Sequence, residues 1–375
     1  MKPRGDGGAA DGTNARAAGE LRGRFCARTH PGSTRNPAAA HRVGSDRRRS
    51  PEPAAHHTGG TVTSSVTRAL TATVRAAAHG PHRECACPAP PTVLADRDDG
   101  TVVRHGGTVA KAHAPDADRG QLAARLAVAA HPALNGVLLA PLDVPGTELD
   151  GRAVTFWPYG TPVDPDAPEA APWEEAGTLL ARLHAVPVDT LPGPLPPMRG
   201  PHKAALALTR MRRARPHQDL AAPVERAWST LPPWARAESS APGPQRLCHG
   251  DLHLGQLVRH GDWLLIDVDD LGLGDPAWDL ARPAAWYAAG LLTPEEWLRF
   301  IDAYRAAHGP AVPADADPWP ALDVPARALT VQTAAQAIAK STVAQRPLDE
   351  IELALVEACD RIAALPRELP AEPAK

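Results

Sequence analysis

Aromatic side chains are scarce in this 375-residue chain, at 4%, while 42 prolines and many alanines point to loops and Ala-rich helices. Cysteine is scarce too. The five, at positions 26, 85, 87, 248 and 359, form no disulfide framework. Cys85 and Cys87 are separated by one residue, too close for a CxxC metal site, and no partner pair follows. No run approaches the ~20 apolar residues of a membrane helix. The N-terminus shows no charged start followed by an apolar stretch and a cleavage site, so no secretory signal is expected. These absences give a reduced, cytoplasmic protein with no membrane partner as the expectation.

What is present is unevenly distributed. The formal charge of −3 conceals a net +8 through Pro90 and −11 over the remainder. Residues 1–88 hold hardly any Leu, Ile or Phe, so that segment cannot bury enough apolar surface to offset its ordering entropy. It reads as a disordered, low-complexity tail in which only Val62 to Ala78 has the apolar content for a short helix. Arg47-Arg48-Arg49 reads as a solvated part of that tail, and nucleic acid is not an expected partner. The apolar content of the remainder, with 43% hydrophobic residues over the whole chain, is enough for a real core.

The chemistry concentrates between Leu247 and Ala281, LCHGDLHLGQLVRHGDWLLIDVDDLGLGDPAWDLA. Trp263 to Asp267 is an apolar run ending in a carboxylate, which reads as a buried strand delivering its last side chain to a site. A second short strand around Gln256 to Arg259 precedes it across His260-Gly261-Asp262. That hairpin would hold Asp251 and Gln256 near Asp267, close enough for one divalent ion. Phosphoryl transfer needs such an arrangement, because metal-binding oxygens must sit beside the carboxylate that positions the attacking hydroxyl. Asp251 suits the positioning role. Gln256 offers a neutral amide oxygen and Asp267 a charged one, which fits the few protein ligands Mg²⁺ usually takes. Asp269, two residues on in the strand period, would point to the same side and add a ligand.

HGDLHLGQ followed by IDVDDLGLGDPAWDLA resembles the catalytic segment of the aminoglycoside phosphotransferase and choline kinase family, relatives of protein kinases that phosphorylate small molecules. The resemblance extends more weakly over about Thr92 to Ala364. It implies an α+β, protein-kinase-like two-lobed fold: a small antiparallel β-rich nucleotide-binding lobe over 89–160 and a mostly helical lobe over 161–367. Asp251 would be the catalytic aspartate and Asp267 the main metal ligand, while Gln256 stands where the family usually has Asn. Asp275 and Asp279 would hold the loops together. ATP and Mg²⁺ are the implied cofactors, and the partner is a small molecule with a hydroxyl acceptor.

The chain ahead of this segment fits the same frame. TVLADR, GTVVRHG and GTVAKAHA are β-branched stretches broken by Asp-Asp-Gly and His-Gly-Gly, the texture of successive antiparallel hairpins. Lys111, on the third of them, is placed like the family's phosphate-gripping lysine. Leu138 to Leu142 and Ala153 to Phe156 read as further strands. Trp157 and Tyr159 then fall where a kinase chain crosses between lobes and meets the adenine ring. Two departures stand out: Asp98-Asp99-Gly100 lacks a full glycine-rich loop, and the helix from about Asp118 to Ala130 has no glutamate to pair with Lys111. Asp116, Asp118 and Gln121 are the nearest substitutes. Helices are expected over Trp173 to Val186, around Ala204 to Arg215, and over Pro283 to Ala289, Pro294 to Ala307, Val324 to Val343 and Leu348 to Leu365.

The reaction expected is transfer of the γ-phosphoryl of ATP to a small-molecule hydroxyl. The acidic body fits a cationic aminoglycoside or amino alcohol, while HGDLHLGQ with Gln256 also resembles a sugar-phosphorylating branch. Two other readings compete. One is a degenerate kinase-like regulatory protein that only binds nucleotide. The other is a metal-dependent hydrolase using His249, Asp251 and His253 as an HxDxH cluster.

Overall fold

The structure is a computed structural model that describes residues 65–79, 87, 89–97, 99–145 and 147–365. The expectation of a disordered tail over positions 1–64 lies outside these residues. The described residues divide into two compact units, the smaller formed by those up to Ala117 with Leu142–Tyr159, the larger by Asp118–Pro141 with those from Gly160 onward. In this division 118–141 belongs with the larger unit.

In the smaller unit, β1 (Thr92–Arg97), β2 (Gly100–His105), β3 (Thr108–His113), β4 (Thr147–Leu149) and β5 (Arg152–Pro158) form one antiparallel sheet in the order β1-β2-β3-β5-β4. The Asp-Asp-Gly and His-Gly-Gly breaks fall where the chain reverses. Helix α1 (Ser65–His79) packs over β2 and β3. Leu70 and Val74, one turn apart on one helix face, are fully buried against Val103, Ala110, Ala112, Val154 and Phe156. Thr67 and Thr101 both donate to Asp96, at 3.0 Å each, tying helix to sheet. This is the short helix expected within Val62 to Ala78. It has an apolar stripe, and a sheet face on which to bury it.

The larger unit begins with α2 (Arg119–Ala129) and continues through the short strand β6 (Thr161–Pro162) into α3 (Trp173–Ala185), α4 (Gly200–Ala214) and α5 (Gln218–Thr230). After the catalytic segment come α6 (Ala277–Ala288), α7 (Pro294–Ala306), α8 (Trp319–Val343) and α9 (Glu350–Ala364). Helix α8 is buried nearly all round, packing against α4, α5, α6 and α9. Prolines hid some of this from the sequence. Helix α5 was not expected in its proline-dotted stretch, and α6 starts upstream of the expected Pro283. Pro223, Pro283 and Pro325 lie at the sixth or seventh position of their helices, where each removes one N–H from the i→i−4 ladder. Leu138 does not begin a strand; it makes a single parallel bridge to Leu265, and the next strand, β4, starts at Thr147. Among the described residues no helix is long and apolar enough to cross a membrane.

Candidate active site

Short strands carry the catalytic segment. β7 (Arg246–Cys248) pairs antiparallel with β10 (Gly272–Gly274), Cys248 opposite Gly272. β8 (Leu257–His260) and β9 (Asp262–Leu265) form the expected hairpin. The loop after β7 therefore runs beside the loop that leads from β9 to β10. Their approach is close enough to dictate sequence: Gly250 has φ of +85°, and a Cβ there would meet the carbonyl oxygen of Asp270 at 2.4 Å.

A fully buried carboxylate fixes the first loop. Asp279 accepts the backbone N–H groups of His249 at 2.6 Å and Gly250 at 2.7 Å, and His184 Nε2 lies 3.0 Å from its Oδ2. Because the carboxylate only accepts, Nε2 carries the proton, and Nδ1 of His184 takes the hydroxyl of Tyr304 at 2.8 Å. His249 Nε2 bonds the carbonyl of Ile266 at 2.8 Å, bracing one loop on the other. The loop-holding role implied for Asp279 and the bracing role of His249 follow from these bonds. Asp275 does less, accepting the N–H of Ala277 at 2.9 Å.

Asp251 is held differently. Its Oδ2 receives Lys203 Nζ at 2.7 Å and its Oδ1 receives Arg282 at 2.5 Å. Lys203 also reaches Asp270 Oδ2 at 2.7 Å, so one ammonium bridges the two loops. Burial alone would raise the Asp251 pKa. Lys203, Arg282 and His253 override it and hold the carboxyl well below the usual carboxylate range. Burial alone would likewise lower the pKa of Lys203, but Asp251 and Asp270 hold it charged, above its ordinary value. Asp270 is pushed up by its burial and by the negative charges of Asp251 and Asp267.

Gln256 and Asp267 meet at the base of the hairpin, Nε2 to Oδ2 at 3.4 Å. Asp267 does not end a strand, because β9 stops at Leu265 and Asp267 has φ of +65°. The chain then enters a 3₁₀ turn, Val268–Asp270. This corrects the strand-period argument for Asp269. In a 3₁₀ turn side chains do not alternate, and the Asp269 charge is felt instead by Arg125 of α2. The donor set at the hairpin base nonetheless suits Mg²⁺: a carboxylate beside an amide whose oxygen and nitrogen exchange places by a 180° turn.

Helix α2 also departs from expectation. Asp118 caps it, accepting from the backbone and side-chain N–H of Gln121. The buried residue is Arg125, whose guanidinium donates to the carbonyls of Leu271 at 2.7 Å and Pro197 at 3.4 Å. A cation thus stands on the helix where a glutamate was sought, and it clamps the helix to the loop after Asp270.

The remaining expected residues lie in the smaller unit. Lys111 is half-buried on the central strand β3, opposite Val102 and Thr155. Trp157 is buried and donates its indole N–H to Thr155 at 3.0 Å. Tyr159 donates its backbone N–H to Gly107, and the Arg104 guanidinium lies 3.3 Å above its ring centre. The HxDxH cluster does not converge. Asp251 is engaged by two cations, His249 Nε2 by Ile266, and His253 Nδ1 by the N–H of Gly255. Sequence reading missed Lys203, Arg282 and Asp270. Arg282 directly follows the quoted motif and Asp270 lies within it, whereas Lys203 carries no local signal.

An antiparallel sheet unit and a helical unit with HGD and DxD loops define a protein-kinase-like fold. A sequence profile of the phosphotransferase enzyme family matches residues 91–324, and the chain belongs to that family. No curated protein matches. Among solved structures, a choline/ethanolamine kinase family protein from Mesorhizobium loti is 16% identical, over 75% of this chain and 90% of that one, with a TM-score of 0.50. A thermostable mutant of the aminoglycoside phosphotransferase APH(4)-Ia, in its apo form, is 15% identical over 73% and 94%, also at 0.50. At these identities the likeness is one of fold.

Proposed function

We propose that this phosphotransferase moves the γ-phosphoryl group of ATP to a hydroxyl of a small molecule, with Asp251 aligning that hydroxyl. The observation that carries the reading is the arrangement around Asp251. A carboxylate held ionised by Lys203 and Arg282 faces the loop that bears Asp270 and Asp267. Each carboxylate oxygen has a second lone pair, so both can be bonded to cations and still accept from a hydroxyl. A carboxylate with a depressed pKa is a weak base. That suits a loose phosphoryl-transfer transition state, in which the attacking oxygen needs direction more than early deprotonation.

Gln256 and Asp267 would hold Mg²⁺, which supplies charge neutralisation to the phosphates when bound. Lys111 is the residue assigned to the phosphates, by its place on β3, and Trp157 and Tyr159 the ones assigned to the nucleotide. Asp269 is the weakest of the proposed ligands, given its 3₁₀ turn. A cytoplasmic location accords with the chemistry, since ATP is supplied there.

The test is ADP release from purified protein with Mg·ATP across amino alcohols, aminoglycosides and neutral sugars, with mass detection of a phosphorylated product. Acceptor-dependent ADP release, abolished in Asp251→Asn while nucleotide still binds, is the expected result. Nucleotide binding without turnover on any acceptor would favour the regulatory reading instead.

A further inference from the structure

A second group of ligating side chains lies in the smaller unit, away from the catalytic segment. His79 is the last residue of α1, and its Nε2 is 3.0 Å from Nε2 of His105, the last residue of β2. The same His79 nitrogen is 3.0 Å from Sγ of Cys87. The three ligand atoms all lie within 4.8 Å of one another. His105 is buried, while His79 and Cys87 are half-buried. The two rings meet edge to face, with centroids 5.1 Å apart and planes at 76°, so the nitrogens converge without the rings stacking.

Hydrogen bonding accounts poorly for this convergence. An imidazole Nε2 has either one proton or one lone pair, so it can serve only one of two partners at 3.0 Å. A cation between the three atoms serves all of them. Two nitrogens on a tetrahedral zinc stand about 3.4 Å apart, so a shift of a few tenths of an ångström opens the space. A thiolate with two imidazoles is a borderline-soft donor set that selects zinc over the oxygen-seeking magnesium of the catalytic segment.

We propose that His79, Cys87 and His105 bind one zinc ion, with a fourth position for water. On binding, the Cys87 thiol gives up its proton to solvent and its sulfur forms the metal bond. The ion would pin the end of α1 and the segment carrying Cys87 to β2, joining a stretch upstream of the matched family region to the sheet. The sequence concealed the site because its spacing, His79, Cys87, His105, depends on a helix end and a strand end meeting in space. Cys85, the other half of the Cys-x-Cys pair, lies outside the described residues and is not counted among the ligands.

The full-length chain, purified under reducing conditions and freed of metal, would be titrated with zinc in the presence of excess magnesium. The expected result is one zinc per chain after gel filtration, and a rise in melting temperature on zinc addition. Cys87→Ser would weaken binding by at least about tenfold and abolish that rise, while Cys87→His, which restores a nitrogen ligand, retains zinc. Cobalt in place of zinc should give a thiolate-to-metal charge-transfer band that Cys87→Ser lacks. His105→Ala removes a buried ring and is read only if its circular dichroism matches the parent. A folded chain that binds no zinc overturns the proposal. So does zinc that survives Cys87→Ser but is lost in Cys248→Ser, since His184, Cys248 and Asp279 form the other compact group of such atoms among the described residues.

Discussion

At Asp279 the partners are two backbone N–H groups and an imidazole, with both side chains of the His184 pair fully excluded from solvent. At Asp251 they are an ammonium and a guanidinium, and the carboxylate keeps 19% of its side-chain surface open. Both aspartates belong to one 35-residue segment of the sequence, and each accepts from several donors. The difference lies in what can leave. Backbone donors are fixed, so Asp279 is committed to the loop, whereas flexible cationic side chains can yield to a hydroxyl or a phosphate oxygen. A carboxylate whose partners are themselves side chains at an open surface is therefore the one to assign to chemistry.

The sharpest way to break that contrast is to neutralise each carboxylate in turn. Asp251→Asn should lower turnover by about 10²- to 10⁴-fold, with nucleotide affinity little changed and a smaller loss of stability than Asp279→Ala shows. Asp279→Ala should behave in the opposite sense. It orphans two buried N–H groups and an imidazole, and should cost about 3–5 kcal/mol in denaturant unfolding. If Asp279→Ala left stability intact and removed only activity, the distinction drawn between the two centres would collapse.

Lys203→Met probes the bridge. It strands Asp251 and Asp270 with fewer cations and should destabilise by about 2–3 kcal/mol, less than a fully enclosed pair because Lys203 retains 26% exposure. The pH dependence has a definite sign. Burial raises the Asp251 pKa, but Lys203, Arg282 and His253 bring it below the unfolded value. Its contribution to stability is thus present above the unfolded carboxylate pKa and lost as pH falls through the folded one. Removing Lys203 lifts the folded pKa, so the acid limb of the turnover profile should move to higher pH. An unmoved limb would show that Lys203 does not set the charge of Asp251.

Much of this architecture was readable from local pattern. Strands β1 to β3 were delimited by β-branched runs and glycine turns, and the contact between Gln256 and Asp267, 11 positions apart, follows from the hairpin between them. What escaped depended on distance or on a local substitution of geometry. Lys203 sits in an Ala-rich helix, 48 positions before Asp251, and nothing around it marks a site. Asp269 was misplaced because β9 ends two residues early and gives way to a 3₁₀ turn, so the period of two was extended past the strand that justified it. Helix α5 was obscured by Pro223, a residue that usually ends or kinks a helix.

The smallest effect belongs to Asp275, which shares a motif with Asp279 but has only the Ala277 N–H to hold. Asn can keep that bond through its amide oxygen, so Asp275→Asn removes the charge and little else, and should change stability by less than about 1 kcal/mol. Its sign depends on pH. Burial raises the Asp275 pKa, offset in part by the Ala277 bond. A raised carboxyl pKa means the folded state binds the proton more tightly than the unfolded one, so the wild type loses stability as pH rises through the unfolded and then the folded value. The Asn variant carries no such burden. The stability of wild type relative to Asp275→Asn should therefore fall between acid and neutral pH, measured as the difference of two unfolding curves. A difference that grew toward neutrality would mean that the ionised carboxylate of Asp275 has a partner as strong as those of Asp279, and the grading of the three aspartates by their donors would fail.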